Sequence, residues 1–299
     1  MPRIISLIAS ATEIVDALGQ LENLVGRSHE CDFPEAVKSL PVCTRPRIAV
    51  DADSREIDRQ VKESARTSIS IYDVFDDVIE RLEPTHILTQ IQCEVCAVSL
   101  RDVEAALARG IRGRPKIVSL QPDSLEGVWE DIRMVARALG IEQRGAETVR
   151  ALEDRMSQLA PAPGRQTVAC IEWLEPLMAA GNWTPELIER AGGVNLFGEP
   201  GRHSPWMTWG ELAAADPDVV ILAPCGFDLE RTQREMHWMT GRAGWNDLRA
   251  VRTGSVYLAD GNQYFNRPGP RVVETFETIV EILTGGSRLR GIAWRPAVS

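Results

Sequence analysis

DSLEGVWEDIRMVARALGIEQRGAETVRALEDRMSQLAPAP, residues 123–163, is the stretch whose reading decides the fold. Asp123 stands where an N-cap belongs, and Trp129, Ile132, Val135, Ala136 and Leu139 follow at helical spacing. Gly140 supplies a stop or kink. A second helical pattern sets Val149, Leu152, Met156 and Leu159 three and four residues apart, and Pro161 and Pro163 end it. At a rise of about 1.5 Å per residue, Glu142 to Leu159 would span about 27 Å, the width of a small domain. On either side, short apolar strands alternate with helices. The run therefore reads as a spine between two α/β lobes. The competing arrangement makes it one more crossover helix in a single large sheet; against that stand two separate strand sets and the Pro/Gly break after Leu159. The expected architecture is α/β: two three-layer lobes, residues 1–121 and 165–299, joined through 122–164 by one long backbone helix, with a ligand cleft between them.

Outward from the spine, residues 3–9, Leu24–Arg27, Pro41–Thr44, His86–Gln90 and Lys116–Leu120 read as strands of the first lobe. Tyr72–Leu82 and Ser99–Arg109 read as helices, and residues 45–70 are polar and weakly patterned. In the second lobe, Thr167–Ile171, Asp218–Ala223 and a final Ser255–Ala259 read as strands. Pro185–Ala191, Trp209–Ala215 and a closing run to about Leu283 read as helices. Asp218–Ala223 is almost purely apolar, as expected of a parallel strand covered on both faces.

The unusual residues cluster just after these strands: His29-Glu30-Cys31-Asp32, Gln92-Cys93-Glu94-Val95-Cys96, Glu172-Trp173, Cys225-Gly226-Phe227 and Asp260 through Arg267. Open parallel sheets bind ligands outside the carboxyl ends of their strands, so these loops mark the expected site. Cys93 and Cys96 form a C-x-x-C, a spacing that suits one metal or a redox pair. With Cys31 and Cys225, and His29 nearby, the set could hold zinc or an iron–sulfur cluster; the same thiols could be reactive groups or small buried hydrophobes. Cys170, inside an apolar strand, and Cys43 read as structural. Eight Trp against three Tyr and six Phe is skewed usage. Trp173, Trp183, Trp206, Trp209, Tyr264 and Phe265 near loops suit a broad, flat, partly apolar ligand, whereas Trp129, Trp238 and Trp245 read as core. Arg267, in a Pro-Gly-Pro turn ahead of the last helix, could grip a carboxylate, amide or phosphate. No nucleophile elbow, phosphate-binding loop or His-Glu-x-x-His is present, so the reading is of a binding protein without chemistry of its own.

At 299 residues, 44% hydrophobic and 25% charged, the chain can bury a sizeable core. A net charge of −10 argues against nucleic acid or an anionic membrane surface as partner, and no apolar run is long enough to insert in a bilayer. Arg3–Ala9 reads as a first strand, since Glu13 and Asp16 follow at once. Taken as it stands, the chain has no leader and the cytoplasm is its expected compartment; a trimmed leader would move that expectation to the periplasm or cell surface. Without a leader, the six cysteines are expected as thiols.

Three segments carry a family resemblance: Arg3-Ile4-Ile5-Ser6-Leu7-Ile8-Ala9-Ser10-Ala11-Thr12-Glu13, Ala215-Asp216-Pro217-Asp218-Val219-Val220-Ile221 and Gly244-Trp245-Asn246-Asp247-Leu248-Arg249-Ala250-Val251. Their order resembles the substrate-binding proteins of cobalamin and iron-chelate ABC importers, from about residue 3 to 284. The 29–32, 92–97 and 264–271 segments resemble a cysteine-containing branch often labelled cobalamin-binding. The resemblance implies two lobes joined by a rigid helix with little hinge motion, and a corrinoid such as cobalamin, or another metal chelate, as ligand. It also implies an ABC transporter permease as partner, and Ser10, His29, Glu30, Gln92, Trp173, Trp209, Phe227, Asp260, Tyr264, Phe265 and Arg267 as ligand contacts. The alternative is a cytoplasmic protein that reuses the fold, with Cys31, Cys93, Cys96 and Cys225 holding zinc or an iron–sulfur cluster for another reaction.

Overall fold

The computed structural model describes residues 1–67, 70–90 and 114–297. The chain forms two compact units: Met1–Ala52, Glu56–Pro122 and Glu126–Ala151 make the first, and Asp53–Arg55, Asp123–Leu125 and Leu152–Ser299 the second.

In the first unit the order is β1 (Ile4–Ser6), α1 (Ala9–Ala17), β2 (Leu24–Arg27), β3 (Thr44–Pro46), α2 (Ser54–Thr67), β4 (Tyr72–Val74), α3 (Asp76–Leu82), β5 (His86–Gln90), β6 (Lys116–Leu120) and α4 (Leu125–Leu139). Strands β2-β1-β5-β6 make a four-stranded parallel sheet. Ile5, Leu7 and Ile87 pack with Tyr72 and Ile79, while their neighbours Ile4, Ser6 and Leu88 are buried too. Both faces of this short sheet are therefore covered, as parallel strands demand.

Two expectations for this unit are corrected. Residues 72–82 are not one helix: Tyr72–Val74 pairs antiparallel with β3, and the helix starts only at Asp76. The third strand is Thr44–Pro46, in that two-stranded pair; of the expected Pro41–Thr44 run, Val42 makes an isolated parallel bridge to Arg27 of β2. Within the weakly patterned 45–70 stretch lies a 14-residue helix, α2, of which only Ser54 is buried. Its surface is laced with Arg59–Glu56, Arg59–Glu63 and Lys62–Asp58 pairs at helical spacing, which support a helix without an apolar stripe. The expected helix Ser99–Arg109 lies outside the described residues.

The deciding run forms two helices, α4 and then α5 (Glu142–Ser157), broken where Gly140 takes a left-handed φ of 72°. Gly140 N–H still bonds Arg137 O, and Ile141 N–H bonds Ala136 O, closing the first helix as a left-handed terminus does. The chain passes from the first unit to the second within α5.

The second unit continues with β7 (Thr167–Leu174), β8 (Leu177–Ala179), α6 (Thr184–Arg190), β9 (Val194–Asn195), α7 (Trp209–Ala215), β10 (Val219–Leu222), α8 (Leu229–Glu235), β11 (Val256–Ala259), α9 (Val272–Thr284) and β12 (Trp294–Pro296). Its sheet runs β12-β11-β10-β7-β8, with β9 beside β7. β7, β9, β10 and β11 are parallel, and β8 and β12 are antiparallel. Ala169, Ile171, Val220, Leu222 and Leu258 face one cluster with Leu212, Leu229 and Met239, while Val168, Cys170, Val219 and Ile221 are buried on the other face. Ser255–Ala259 is thus not the last strand: β12 pairs antiparallel with β11 and closes the edge.

Candidate functional site

In the second unit, parallel strands put the ends of β7, β10 and β11 at one sheet edge, and the loops there are bonded to one another. Cys225 N–H donates to Glu172 O at 3.0 Å. Gly261 N–H and Asn262 N–H both donate to Phe227 O, at 2.9 and 3.2 Å, and Asn266 Nδ2 donates to Ala223 O at 2.8 Å. Gly261 has to be glycine, because a Cβ there would lie 2.0 Å from Pro224 O. The edge is thereby built before any ligand arrives.

Side chains on this frame are stacked. The Trp173 and Phe227 rings sit 5.3 Å apart, and the Arg231 guanidinium lies 3.8 Å from the Phe227 ring centroid. Trp173 spends its indole N–H at 3.2 Å on the carbonyl of Ser54, which, with Asp53 and Arg55, belongs to the second unit although the rest of α2 belongs to the first. Asp260 Oδ1 accepts from Asn262 N–H and Gln263 N–H at 2.9 and 2.7 Å, winding 261–265 into a wide turn. Burial raises the Asp260 carboxyl to about 6; the two backbone donors and Arg267 pull it down, and Asp228 pushes it up. Arg267 is itself only 4% exposed and donates to Asn262 Oδ1 at 3.2 Å. Arg271 lies 4.3 Å over the Tyr264 ring.

Trp173, Phe227, Asp260, Tyr264 and Arg267 therefore share one built edge, of which only Trp173 is part-exposed and Phe227, at 1%, is itself a core residue. Phe265 belongs to the same turn but is a core residue, 1% exposed, whose carbonyl accepts from Trp183 Nε1 at 3.1 Å. Trp209 packs on Trp245 with ring centroids 6.2 Å apart and donates to Ala243 O at 2.9 Å, so its indole serves the apolar core. Sequence reasoning missed Arg231, a single arginine on a polar stretch with no pattern to single it out; Arg271 lay in the marked 264–271 segment but without a stacking role.

In the first unit, Ser10 is buried in the first turn of α1, and residues 29–31 follow β2 at the carboxyl edge of its sheet. His29 Nδ1 is 2.8 Å from Thr44 Oγ1, its ring centroid is 5.4 Å from that of Tyr72, and Nε2 lies 3.8 Å from Glu30 Oε1. Burial, with the Arg27 charge adding, lowers the imidazole to about 4, so His29 is neutral near pH 7. Cys31 is 1% exposed; Thr12 Oγ1 donates to its sulfur at 3.0 Å, and the thiol faces Ser6 O.

Cys225 is half-buried in the second unit, and Gln92, Cys93 and Cys96 lie outside the described residues. Among the described residues, no group of three or more His, Cys, Asp or Glu side chains is placed to hold a metal ion. Cys31, Cys225 and His29 do not by themselves make up a zinc or iron–sulfur site.

A model of periplasmic binding proteins matches residues 4–262. The chain belongs to the periplasmic binding protein family. That is a family of solute-binding proteins, not of enzymes, and it agrees with the two-lobe α/β reading. Similar solved structures include the periplasmic heme-binding protein RhuT from Roseiflexus sp. RS-1, with 22% identity, TM-score 0.68, and 95% of this chain and 98% of that chain covered. The periplasmic vitamin B12 binding protein BtuF of Vibrio cholerae shares 20% identity at TM-score 0.62, covering 94% and 96%. A structure from an ABC-type Fe3+-hydroxamate transport system of Saccharomonospora viridis DSM 43017 shares 20% at TM-score 0.65, covering 94% and 93%. The comparison with curated proteins finds no match.

Proposed function

We propose that this family member is the solute-binding component of an ABC importer and that its solute is a corrinoid or a related metal chelate. The carrying observation is the built edge of the second unit, where loops after three strands are hydrogen-bonded together and leave Trp173 part-exposed, beside the part-exposed guanidiniums of Arg231 and Arg271 stacked on the buried Phe227 and Tyr264 rings. Aromatic faces suit a broad, flat, partly apolar ring system, and arginines suit the amide or carboxylate groups at its rim. The similar structures named for vitamin B12, heme and ferric hydroxamate support the same class, since all three are chelates of a transition metal.

Equilibrium dialysis against cyanocobalamin, cobinamide, hemin and a ferric hydroxamate tests the reading. A corrinoid is expected to bind with Kd of about 1 μM or tighter, near −8 kcal/mol. Replacing Trp173 by Ala should weaken that binding by roughly tenfold, about 1.4 kcal/mol, with the fold retained by circular dichroism. No corrinoid binding below about 1 mM, near −4 kcal/mol, removes the corrinoid reading.

A further inference from the structure

The parallel strands of the second unit have another edge, at their amino ends. Gln166 precedes β7, Asp218 precedes β10 and Ser255 precedes β11, at the opposite end of the strands from Trp173, Phe227 and Asp260. Between these three residues, with Arg165, Arg249 and Thr253, opens a cavity of about 380 Å³, all of it lined from the second unit. Its frame is locked by its own hydrogen bonds. Thr167 N–H and Oγ1 donate to Asp218 Oδ2 at 2.9 and 2.8 Å, and Asp218 N–H donates back to Thr167 Oγ1 at 2.9 Å. Asp218 Oδ1 accepts from Arg249 Nη1 at 2.8 Å, and Asp216 Oδ1 accepts from the Arg249 backbone N–H at 2.7 Å. Ser255 N–H donates to Ala250 O at 2.7 Å, and its hydroxyl oxygen accepts from Thr253 Oγ1 at 3.0 Å. A rim fixed in this way costs little further ordering when a ligand enters.

What this frame leaves over is donors. Asp218 has both oxygens engaged, so the lining offers no spare carboxylate. Ser255 accepts from Thr253 and keeps its own O–H proton to give. The Gln166 amide and the Arg165 guanidinium make no hydrogen bond or ion pair among the described residues. Arg249 also pairs with Asp216 at 3.5 Å and still uses only part of its five N–H groups. Arg252, on the same short helical turn Arg249–Arg252, adds a third guanidinium, so three cations stand against the Asp216 and Asp218 carboxylates. The cavity is therefore a positive, donor-rich spot on a chain of net charge −10. Forked guanidiniums with a hydroxyl and an amide suit an anion that has several oxygen acceptors, as a phosphate group has. The volume falls within the roughly 300–1,000 Å³ of small-molecule sites, which is more than a bare ion fills. No lining residue is aromatic or aliphatic, so the body that carries the anion is polar. We propose that this amino-end edge binds a small, polar phosphorylated molecule by its phosphate group. Such binding does not depend on the chelate reading above.

The test is isothermal titration calorimetry of the full chain with glycerol 2-phosphate and with citrate, at matched ionic strength because exposed charges are screened by salt. Glycerol 2-phosphate should bind one per chain with Kd of about 1 mM or tighter. Inorganic phosphate should displace it, and citrate should bind at least tenfold more weakly. Arg165 has no partner to lose, so Arg165→Gln should keep the wild-type melting temperature and yet weaken glycerol 2-phosphate at least tenfold. Arg66→Gln removes an exposed charge from α2 in the first unit and should leave that affinity unchanged. Wild type without saturable binding below about 1 mM, or with no displacement by inorganic phosphate, would overturn the assignment. Citrate binding as tightly as glycerol 2-phosphate would overturn it too, as would full affinity in Arg165→Gln or an equal loss in Arg66→Gln. Failure of the corrinoid dialysis would leave these results as they stand.

Discussion

Asp260 carries a charge state set by its burial in the second unit. Its carboxyl is raised to about 6 in the fold, against 3.8 for the ordinary side chain, with burial as the largest cause. The folded protein therefore holds the proton more tightly than the unfolded chain. Ionisation above about pH 6 costs stability, and the cost is relieved as the pH falls through 6 toward 4. Asn keeps an acceptor for the Asn262 and Gln263 N–H groups but carries no charge. The melting temperature of Asp260→Asn, relative to wild type, should accordingly rise as the pH is raised from 5 to 8. A difference that stays flat across that range would contradict this account. The thiols separate in the same physical terms. Burial pushes Cys43 up to about 12 and Cys170 higher still, whereas Cys225 is half-buried. Peptide mapping after brief iodoacetamide treatment should find Cys225 labelled well before Cys43 and Cys170; equal rates in the folded protein would mean those two are not buried. At this scale the sequence was most informative where residues followed a strand. Trp173, Phe227, Asp260 and Tyr264 were legible because parallel strands deliver their ends to one edge. The burial of Phe265 was not, since an aromatic ring beside a loop reads the same whether it faces a ligand or the core.

At the level of elements, long apolar periodicity was readable and polar or short elements were not. The 209–215 helix was expected at its observed bounds because its cap is local: Thr208 and Glu211 form a reciprocal capping box. Helix α2 escaped because its stability lies in charge pairs on a solvated surface, and β4 because its only partner, β3, is far away in sequence. Strand β12 escaped for a related reason. It is secured through Glu281 on α9, whose Oε2 accepts from Leu289 N–H at 2.9 Å and from Trp294 Nε1 at 3.0 Å, a long-range pairing no window reveals. Glu281→Ala would leave both buried donors unmatched and should lower unfolding stability by about 2–4 kcal/mol in urea denaturation; a loss under about 0.5 kcal/mol would show that β12 is held by other means. The 261–265 turn makes a sharper demand. Gly261→Ala forces a Cβ into the Pro224 carbonyl, so it should destabilise by about 1–3 kcal/mol or more and weaken ligand binding, read by thermal melts and by dialysis. Wild-type stability with wild-type binding would show that the edge is not built as described.

For the whole molecule, among the described residues, a four-stranded sheet, a six-stranded sheet centred on β10 and the β3-β4 pair are separate, against the single continuous sheet that was the competing expectation. The two helices of the 123–163 run, in place of the one long helix expected, were visible because Gly140 and the Pro161/Pro163 pair punctuate a strong helical period, and punctuation of that kind is local. What the cargo is was less visible, because it depends on side chains brought together from distant strands. The proposed function is carriage of a metal chelate, against the alternative of a metal or cluster held by the thiols. One measurement addresses both halves: cobalt, iron and zinc content with the absorption spectrum, taken on protein purified without oxygen, before and after incubation with cobinamide and desalting. The account predicts no stoichiometric zinc or iron beforehand and about one cobalt retained per chain afterwards, with corrinoid bands. One zinc or an iron–sulfur spectrum as purified, with no cobalt retained after desalting, would contradict it.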